Sequence, residues 1–196
     1  MRWFLALTTA VAAERVAELG WSRAHERRMA RRGGEVVREP LYAVMVALHA
    51  GTLLAAPVES WLRGRARRGS GVSTATSAGR GLGLLGLAAA TALRVWTLRT
   101  LGDSWSTRVT RFADGGRRVV TAGPYRFIRH PNYLAVILEL AALPLAGGAW
   151  ATALGATALN ALVLARRIPV EERELSADPT WRAVMLDRPR LLPRIA

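Results

Sequence analysis

The chain has 196 residues, 51% of them hydrophobic, and a formal net charge of +14. It contains no lysine, so all 28 basic residues are arginine, which indicates a GC-rich bacterial genome. The absence of cysteine excludes disulfides and thiolate metal sites, and three histidines are too few for a histidine-rich site, so we expect no metal. A large positive charge can indicate nucleic-acid binding. Here the arginines lie between long apolar runs, where membrane proteins carry them, so we expect no nucleic-acid partner.

Five apolar runs follow one another along the chain, at residues 3–21, 40–61, 81–101, 131–146 and 150–165. They predict an all-α integral membrane protein with about five transmembrane helices. The first run lacks a basic stretch before it, so we interpret it as a retained helix rather than a cleaved signal. The last two runs are joined only by Gly147-Gly148, which predicts a tight helical hairpin.

The arginines of the connecting segments predict the topology. With the N-terminus outside, segments 22–39, 102–130 and 166–196, counted with Arg99, place 20 of the 28 arginines on the cytoplasmic side. The Arg-, Gly- and Ser-rich linker 62–80 then lies outside with five arginines, which departs from the rule. We therefore expect a multi-pass protein of the cell membrane, a single membrane domain in which 1–101 carries the N-terminal helices and 102–196 carries a cytoplasmic site.

Two of the N-terminal runs contain polar residues at membrane depth, where such residues indicate either function or buried pairing. Glu14 and Glu18 are one helical turn apart, so they face the bundle or a water-filled cleft, unless this helix lies partly at the interface. His49 is either a packed, hydrogen-bonded residue or a ligand. Arg94, near the end of the third run, is expected to extend its long side chain towards the interface.

The fourth and fifth runs carry one polar residue each. Glu139 lies inside the fourth and Asn160 inside the fifth. A carboxylate at this depth is costly, so Glu139 is either a catalytic base or a structural partner in a hydrogen bond to Asn160.

Two polar stretches flank the predicted hairpin. The first, VVTAGPYRFIRHPNY, covers 119–133 and has a Gly-Pro turn and a proline, Pro131, suited to the first turn of a helix. The second, RRIPVEE, covers 166–172 at the exit of the fifth helix. A hairpin brings these stretches together and predicts a pocket lined by Tyr125, His130, Asn132, Tyr133, Arg167, Glu171 and Glu172. Helix amides and arginines suit a carboxylate, and a glutamate suits ribose hydroxyls or an amine. The alternative is interfacial anchoring beside a solvated helix turn.

These stretches, GPYRFIRHPNY and then RRIPVEERELSADPTWRAVM after an apolar hairpin, resemble the isoprenylcysteine carboxyl methyltransferase family over residues 100–196. The family signature reads Gly-x-Tyr, three residues, Arg-His-Pro-x-Tyr-x-Gly, and later Glu-Glu. Ala135 stands where the family often has glycine. The residues that match it are Gly123, Tyr125, Arg129, His130, Pro131, Tyr133, Glu171 and Glu172.

The resemblance implies a membrane O-methyltransferase that uses S-adenosylmethionine without a Rossmann fold. It implies that Arg167 faces the methyl acceptor, and we take Arg167, Glu139 and Glu172 as the candidate catalytic residues. The cofactor contacts that it implies are Arg117, Arg118, Val119, Val120, Tyr125, His130, Pro131, Asn132, Tyr133 and Glu171.

The acceptor is expected to be lipidic and to enter from the bilayer. The N-terminal half, with AAERVAEL and SRAHERRMARRGGEVV, resembles a bacterial subgroup found with type III polyketide synthases, which implies a phenolic or enolic hydroxyl of an alkylresorcinol or alkylpyrone. An isoprenylcysteine carboxylate is the alternative. A carboxylate needs only an arginine to place it, whereas a phenol, of pKa ~10, benefits from a base.

Two readings from other classes remain open. One is a non-catalytic scaffold whose arginines bind anionic membrane lipids. The other is a membrane reductase resembling the sterol reductases, which would bind NADPH.

Overall fold

The computed structural model describes residues 1–66, 75–112 and 119–193, and within these ranges the chain forms a helical bundle with one short pair of strands. The predicted all-α class is confirmed. The helices are α1 (Arg2–Ala30), α2 (Tyr42–Ala66), α3 (Ala75–Leu101), α4 (Pro131–Ala146), α5 (Trp150–Leu175) and α6 (Pro179–Met185), and the strands are β1 (Gly34–Val36) and β2 (Thr110–Phe112).

Helices α1 to α5 run alternately up and down, so the bundle has two distinct ends. At the hairpin end, the ring of Phe4 packs where a Cβ on Gly147 would lie, and Ser60 Oγ donates to the Gly147 carbonyl oxygen at 2.7 Å. At the opposite end, which we call the site end, β1 pairs antiparallel with β2 in the register Glu35↔Arg111. Among the described residues, the segments predicted to share one side therefore meet at the site end.

Three of the described helices are long and apolar enough to cross a membrane. They are α2 (Tyr42–Ala66), the stretch Ala78–Ser104 that comprises most of α3 and the turn after it, and α5 (Trp150–Leu175). Their mean hydropathies are 1.4, 1.5 and 1.2. Helix α4 is apolar but has only 16 residues, and α1 carries charges near its middle. Leu54, Leu85 and Leu154 are each at least 70% exposed on the outside of the bundle, as expected of side chains that contact lipid. The protein is an integral membrane protein, and the number of five spans stays a prediction.

Helices α3 and α4 pack through small residues. A Cβ built on Gly83 would lie 2.3 Å from the backbone nitrogen of Ala146, and one built on Gly86 would lie 3.0 Å from the Cβ of Ala142. The two backbones therefore touch, an arrangement common between helices in membranes. The same packing holds the buried face of α3 directly against α4.

Several predicted helix bounds were wrong, and the predicted linker 62–80 is partly helical, because α2 continues to Ala66 and α3 begins at Ala75. Helix α1 continues to Ala30, so half of the predicted loop 22–39 is helical, and its inward face continues through the buried Ser22 and Met29. Helix α5 continues past residue 165 to Leu175 in spite of Pro169. A proline removes one helical hydrogen bond, but Ile168 and Leu175 on either side of it are buried, and their burial keeps the helix continuous.

Two elements were not predicted. One is the β1–β2 pair, which joins the loops before α2 and after α3. The other is α6, which begins at a proline and is capped by Asp178, whose carboxylate accepts from the backbone N–H groups of Thr180 and Trp181 at 2.8 and 3.4 Å.

Candidate active site

A cavity of about 350 Å³ enters the bundle from the site end and reaches membrane depth. One face of α5 follows it, because Asn160, Leu164, Arg167 and Glu171 are three or four residues apart and all line it. From Asn160 to Glu171 the helix advances by eleven residue steps, which gives the cavity a length of about 16 Å. We call its part near the site end the outer half, lined chiefly by Val119, Val120, Tyr125, His130, Asn132, Glu171 and Trp181, and its deeper part the inner half, lined chiefly by Arg15, Glu18, His49, Arg94 and Asn160.

The predicted contact between the two polar stretches is present. Tyr133, in the first turns of α4, donates its hydroxyl to the carboxylate of Glu171 on α5. The rings of His130 and Tyr133 stack with their centroids 5.3 Å apart. The guanidinium carbon of Arg167 lies 5.6 Å from the centre of the Tyr133 ring. The hairpin thus gathers these four side chains at the junction of the outer and inner halves.

Glu172 links three segments of the chain at the site end. Its carboxylate lies 3.1 Å from His130 Nε2, 3.2 Å from Arg129 Nη1 and 2.7 Å from Arg190 Nη2. The segment after α6 is held in the same place, since the backbone N–H of His130 donates to the Arg190 carbonyl oxygen at 3.0 Å. Glu172 is not among the residues that line the cavity, and its contacts are those of a structural clasp between α4, α5 and the C-terminal segment.

Arg167 reaches the cavity but already has partners from the chain. Its Nε lies 3.0 Å from Glu39 Oε2, and its Nη2 donates to the Thr107 carbonyl oxygen at 2.7 Å. Glu39 Oε1 in turn accepts from the backbone N–H of Val109 at 2.8 Å. Burial raises the pKa of the Glu39 carboxyl, and the positive charge of Arg167 opposes that rise. Arg167 thereby ties α5 to the segments that precede α2 and β2.

An apolar slot closes the outer half. Leu175 at the end of α5 and Trp181 and Met185 on α6 are buried together, with Val119 and Tyr125 packed against them. Trp181 and Met185 were not predicted as site residues. Both belong to the DPTWRAVM stretch, in which the Asp-Pro pair signals a capped helix start that would have located them.

The inner half contains a cluster of four charged side chains from three helices. Arg94 on α3 donates to Glu139 on α4 at 2.8 Å and lies 3.5 Å from Glu18 on α1. Arg15 lies 2.7 Å from Glu18 and 3.7 Å from Glu139. Two positive charges thus face two negative ones, and the cluster is electrically balanced. We call these residues the charged quartet.

The quartet corrects two expectations. Arg94 does not extend to the interface: it is 3% exposed, because two carboxylates hold it inside the bundle. The partner of Glu139 is not Asn160 but Arg94, which lies on the helix that packs backbone to backbone against α4. Glu139 is not among the cavity-lining residues, so its predicted role as a base stays untested.

Two more predictions concern the N-terminal helices. Glu18 faces inward as expected, whereas the Glu14 side chain is 35% exposed and pairs with Arg15 at 2.9 Å. His49 is packed and bonds through Nδ1 to the Met45 carbonyl oxygen at 2.8 Å, which confirms the prediction of a hydrogen-bonded residue, although it also lines the cavity.

The predicted cofactor contacts divide into three groups. Most of the described ones line the cavity: Val119, Val120, Tyr125, His130, Asn132, Tyr133 and Glu171. Pro131 is fully buried at the start of α4 and is not among the lining residues. Arg117 and Arg118 lie outside the described residues.

Both polar stretches of the outer half lie in a segment that matches a known protein family. Residues 82–177 match the model of the isoprenylcysteine carboxyl methyltransferase family. The match to the isoprenylcysteine carboxyl methyltransferase family extends from α3 to just beyond α5, and it includes the hairpin and both polar stretches. The chain is also 27% identical, over 175 residues, to the uncharacterized protein YpbQ of Bacillus subtilis (strain 168), across 89% of this chain and 96% of the relative. That likeness therefore extends well beyond the range of the family match.

Proposed function

We propose that this protein is an integral membrane methyltransferase of the isoprenylcysteine carboxyl methyltransferase family, which transfers a methyl group from S-adenosylmethionine to a hydroxyl of a lipidic acceptor. One observation carries the proposal. A single cavity joins an outer half, whose lining comes largely from the segment that matches the family, to an inner half enclosed by the apolar helices of the bundle. Such a cavity brings a water-soluble cofactor and a lipid-soluble acceptor together.

The outer half fits the cofactor. The apolar slot around Trp181 suits a purine ring, and the Glu171 carboxylate can accept hydrogen bonds from ribose hydroxyls or an amine. Asn132 Oδ1 and Trp105 Nε1 line the cavity, are buried, and have no hydrogen-bond partner among the described residues. Buried polar atoms normally have partners. A bound molecule with both donors and acceptors would satisfy the two atoms.

The chemistry requires orientation more than proton transfer. When bound, S-adenosylmethionine supplies a sulfonium methyl group: the acceptor oxygen bonds to that carbon as the carbon–sulfur bond breaks, and the hydroxyl proton is released. In-line displacement gains much of its acceleration from alignment of the reacting atoms. The stacked His130 and Tyr133 rings and the Glu171 carboxylate form a rigid wall at the junction of the two halves. We propose that this wall aligns the acceptor.

The pairing of the arginines favours a neutral acceptor over a carboxylate. Among the arginines that line the cavity, Arg167 is bonded to Glu39, Arg129 to Glu172, and Arg15 and Arg94 within the charged quartet, whereas the exposed Arg108 lies over the Tyr42 ring. An isoprenylcysteine carboxylate would have to displace Glu39 from Arg167. A phenolic or enolic hydroxyl, as in an alkylresorcinol or alkylpyrone, enters as a neutral group and displaces no ion pair. We propose such an acceptor, made by a type III polyketide synthase or a similar enzyme, entering from the cell membrane, with the site end on the cytoplasmic side.

Cofactor binding by the purified protein tests the proposal. S-adenosylhomocysteine at a hundred times its Kd should stabilise the folded state by about 2.7 kcal/mol, because it binds only that state, and Tm should rise accordingly. NADPH should give no rise. Stabilisation by NADPH alone would support a membrane reductase, and stabilisation by neither ligand would support a scaffold.

A further inference from the structure

Asn160 is the neutral residue of the inner half whose side-chain donor and acceptor both lack a partner among the described residues, while Nε of Arg15 and of Arg94 are single unpaired atoms of groups that are otherwise bonded. Asn160 lies on the cavity-facing side of α5 and is 1% exposed. Neither its Oδ1 nor its Nδ2 has a hydrogen-bond partner among the described residues. A buried amide that makes no hydrogen bond costs roughly 1–3 kcal/mol. Asn160 therefore requires a partner that occupies the cavity.

The surroundings of Asn160 determine the charge of that partner. The nearby ionised groups are those of the quartet, in which Arg15 and Arg94 each bond to a carboxylate. Apart from His49, whose Nδ1 is bonded to the Met45 carbonyl oxygen, the other walls are apolar and include Leu53, Val136 and Leu164. A charged group would enter with no free counter-ion, at a high desolvation cost. The partner is therefore neutral, and it meets an amide that can donate and accept at once.

The position of Asn160 relates this partner to the reaction. Asn160 and Arg167 are seven residues apart on one face of α5, a rise of about 10 Å. Arg167 lies beside the wall of His130, Tyr133 and Glu171, so Asn160 lies about two helical turns further into the cavity, a gap that one ring with a polar group on each side and a hydrogen bond at each end can span. A headgroup whose reacting hydroxyl lies against the wall would thus place a second polar group near Asn160.

We propose that Asn160 binds a second, neutral hydroxyl or carbonyl group of the acceptor, and that the enzyme selects lipids whose headgroup carries two oxygens on one ring. This inference rests on the proposed function, and it adds the residue that discriminates between acceptors. The alkyl chain of the acceptor lies along the apolar walls. An isoprenylcysteine acceptor has no oxygen-bearing ring, so it offers the Asn160 amide no ring oxygen as a partner.

Binding of two matched lipids tests the inference without turnover. The ligands are pentadecylresorcinol, with two hydroxyls, and pentadecylphenol, with one, titrated into the wild-type protein in detergent with S-adenosylhomocysteine present. The wild type should bind the resorcinol at least about tenfold more tightly, because the phenol leaves the buried amide unpaired. Asn160→Leu should abolish this preference, because it weakens resorcinol binding and removes the buried amide that the phenol leaves unpaired, so phenol affinity should stay the same or rise.

Thr157→Val is the matched control, since it makes a similar change one turn away on α5 at a residue that does not line the cavity. It should keep the tenfold difference. Asn160→Ser retains a donor and an acceptor on a shorter side chain, and it should keep part of the difference. If Asn160→Leu fails to fold, as shown by loss of the Tm rise with S-adenosylhomocysteine, Asn160→Ala takes its place with the same expectation.

Three results would overturn the inference: equal binding of both lipids by the wild type, binding of neither, or a preference that survives in the Asn160→Leu or Asn160→Ala protein. The first and the third leave the proposed function standing as long as S-adenosylhomocysteine raises Tm, whereas binding of neither lipid would also contradict the phenolic acceptor and leave only the cofactor part of the proposal. A failure of S-adenosylhomocysteine to bind, in contrast, contradicts the proposed function itself.

Discussion

The two halves of the cavity are built in different ways. The outer half comes mainly from two short stretches, 119–133 and 167–185, which one hairpin brings together. The inner half takes Arg15 and Glu18 from α1, His49 from α2, Arg94 from α3 and Asn160 from α5. The family match, over residues 82–177, includes most of the lining of the outer half but not Trp181 and Met185, and it contains Arg94 and Asn160 of the inner half but neither α1 nor α2. The outer half therefore depends mainly on local stretches of sequence, whereas the inner half depends on how separate helices assemble.

The largest effect is expected from breaking the quartet. Arg94→Met leaves Glu18 and Glu139 buried with only Arg15 to balance them, and removal of one partner of a buried pair costs about 3–5 kcal/mol. Thermal unfolding in detergent should show a large fall in Tm. Arg99→Met, at an exposed position in the last turn of α3, should change Tm little. Equal effects of the two changes would mean that the quartet contributes nothing specific.

Glu171→Gln should act on the outer half alone. The glutamine cannot bond ribose hydroxyls or an amine as a charged acceptor, and we expect the Kd for S-adenosylhomocysteine to rise about 100-fold, in the range of charge-assisted hydrogen bonds. Isothermal titration calorimetry measures this. Glu174→Gln, one turn further along α5 and outside the cavity lining, should keep wild-type affinity. Wild-type affinity in both variants would remove Glu171 from the cofactor site.

Glu139→Gln separates a structural role from a catalytic one. Because the Glu139 carboxylate is bonded to Arg94 and does not line the cavity, we expect a loss of stability of about 1–3 kcal/mol and turnover within a few-fold of wild type. Loss of a general base would instead lower turnover by roughly 10²–10⁴ and be partly rescued at high pH. That second pattern would assign Glu139 to the reaction after all.

The smallest effect is expected in the pH dependence of stability, from Glu39→Gln at the junction; at every pH this change also lowers Tm, because it leaves the buried Arg167 without its carboxylate partner. Burial raises the pKa of Glu39 above its ordinary 4.5, so its contribution to stability is greatest below 4.5 and declines as pH rises through the folded-state value. Glutamine does not titrate. The Tm of the wild type should therefore fall relative to that of the variant over this range, by a few degrees at most because Arg167 offsets part of the cost. Glu35→Gln, at a side chain that is 76% exposed, should track the wild type, and a Glu39→Gln curve that also tracks it would contradict the pKa rise.

Sequence patterns located the elements whose signals are local. The hairpin of α4 and α5 follows from two apolar runs and a two-glycine joint, and the meeting of Tyr133 with Glu171 follows from the hairpin. The continuation of α5 through Pro169 could not be predicted, because the side chains that stabilise it, such as Leu175, pack against α6 and the segment around 119–125.

The inner half shows where sequence patterns fail. Glu139 and Asn160 are the polar residues inside the two helices of the hairpin, and the sequence therefore predicted a hydrogen bond between them. In the structure Glu139 instead bonds to Arg94, 45 residues earlier. Glu39 is a buried partner of Arg167, 128 residues later, and was not predicted as a site residue. In the sequence it is only an acidic residue just before the second apolar run. The packing of the helices decides which of these residues become partners, and the spacing of the residues in the sequence does not encode that packing.

Photoaffinity labelling with 8-azido-S-adenosylhomocysteine tests the central claim most directly, namely that the outer half of this cavity holds the cofactor. Labelled protein would be digested and the modified residues mapped by mass spectrometry, with unlabelled S-adenosylhomocysteine as the competitor. We predict that the label falls on the apolar slot and is lost in the presence of the competitor. The labelled peptides should be those that contain Tyr125, Leu175, Trp181 and Met185. Competable label confined to the outward groove between α2 and α5, at Leu48, Leu159 and Leu162, would contradict the account.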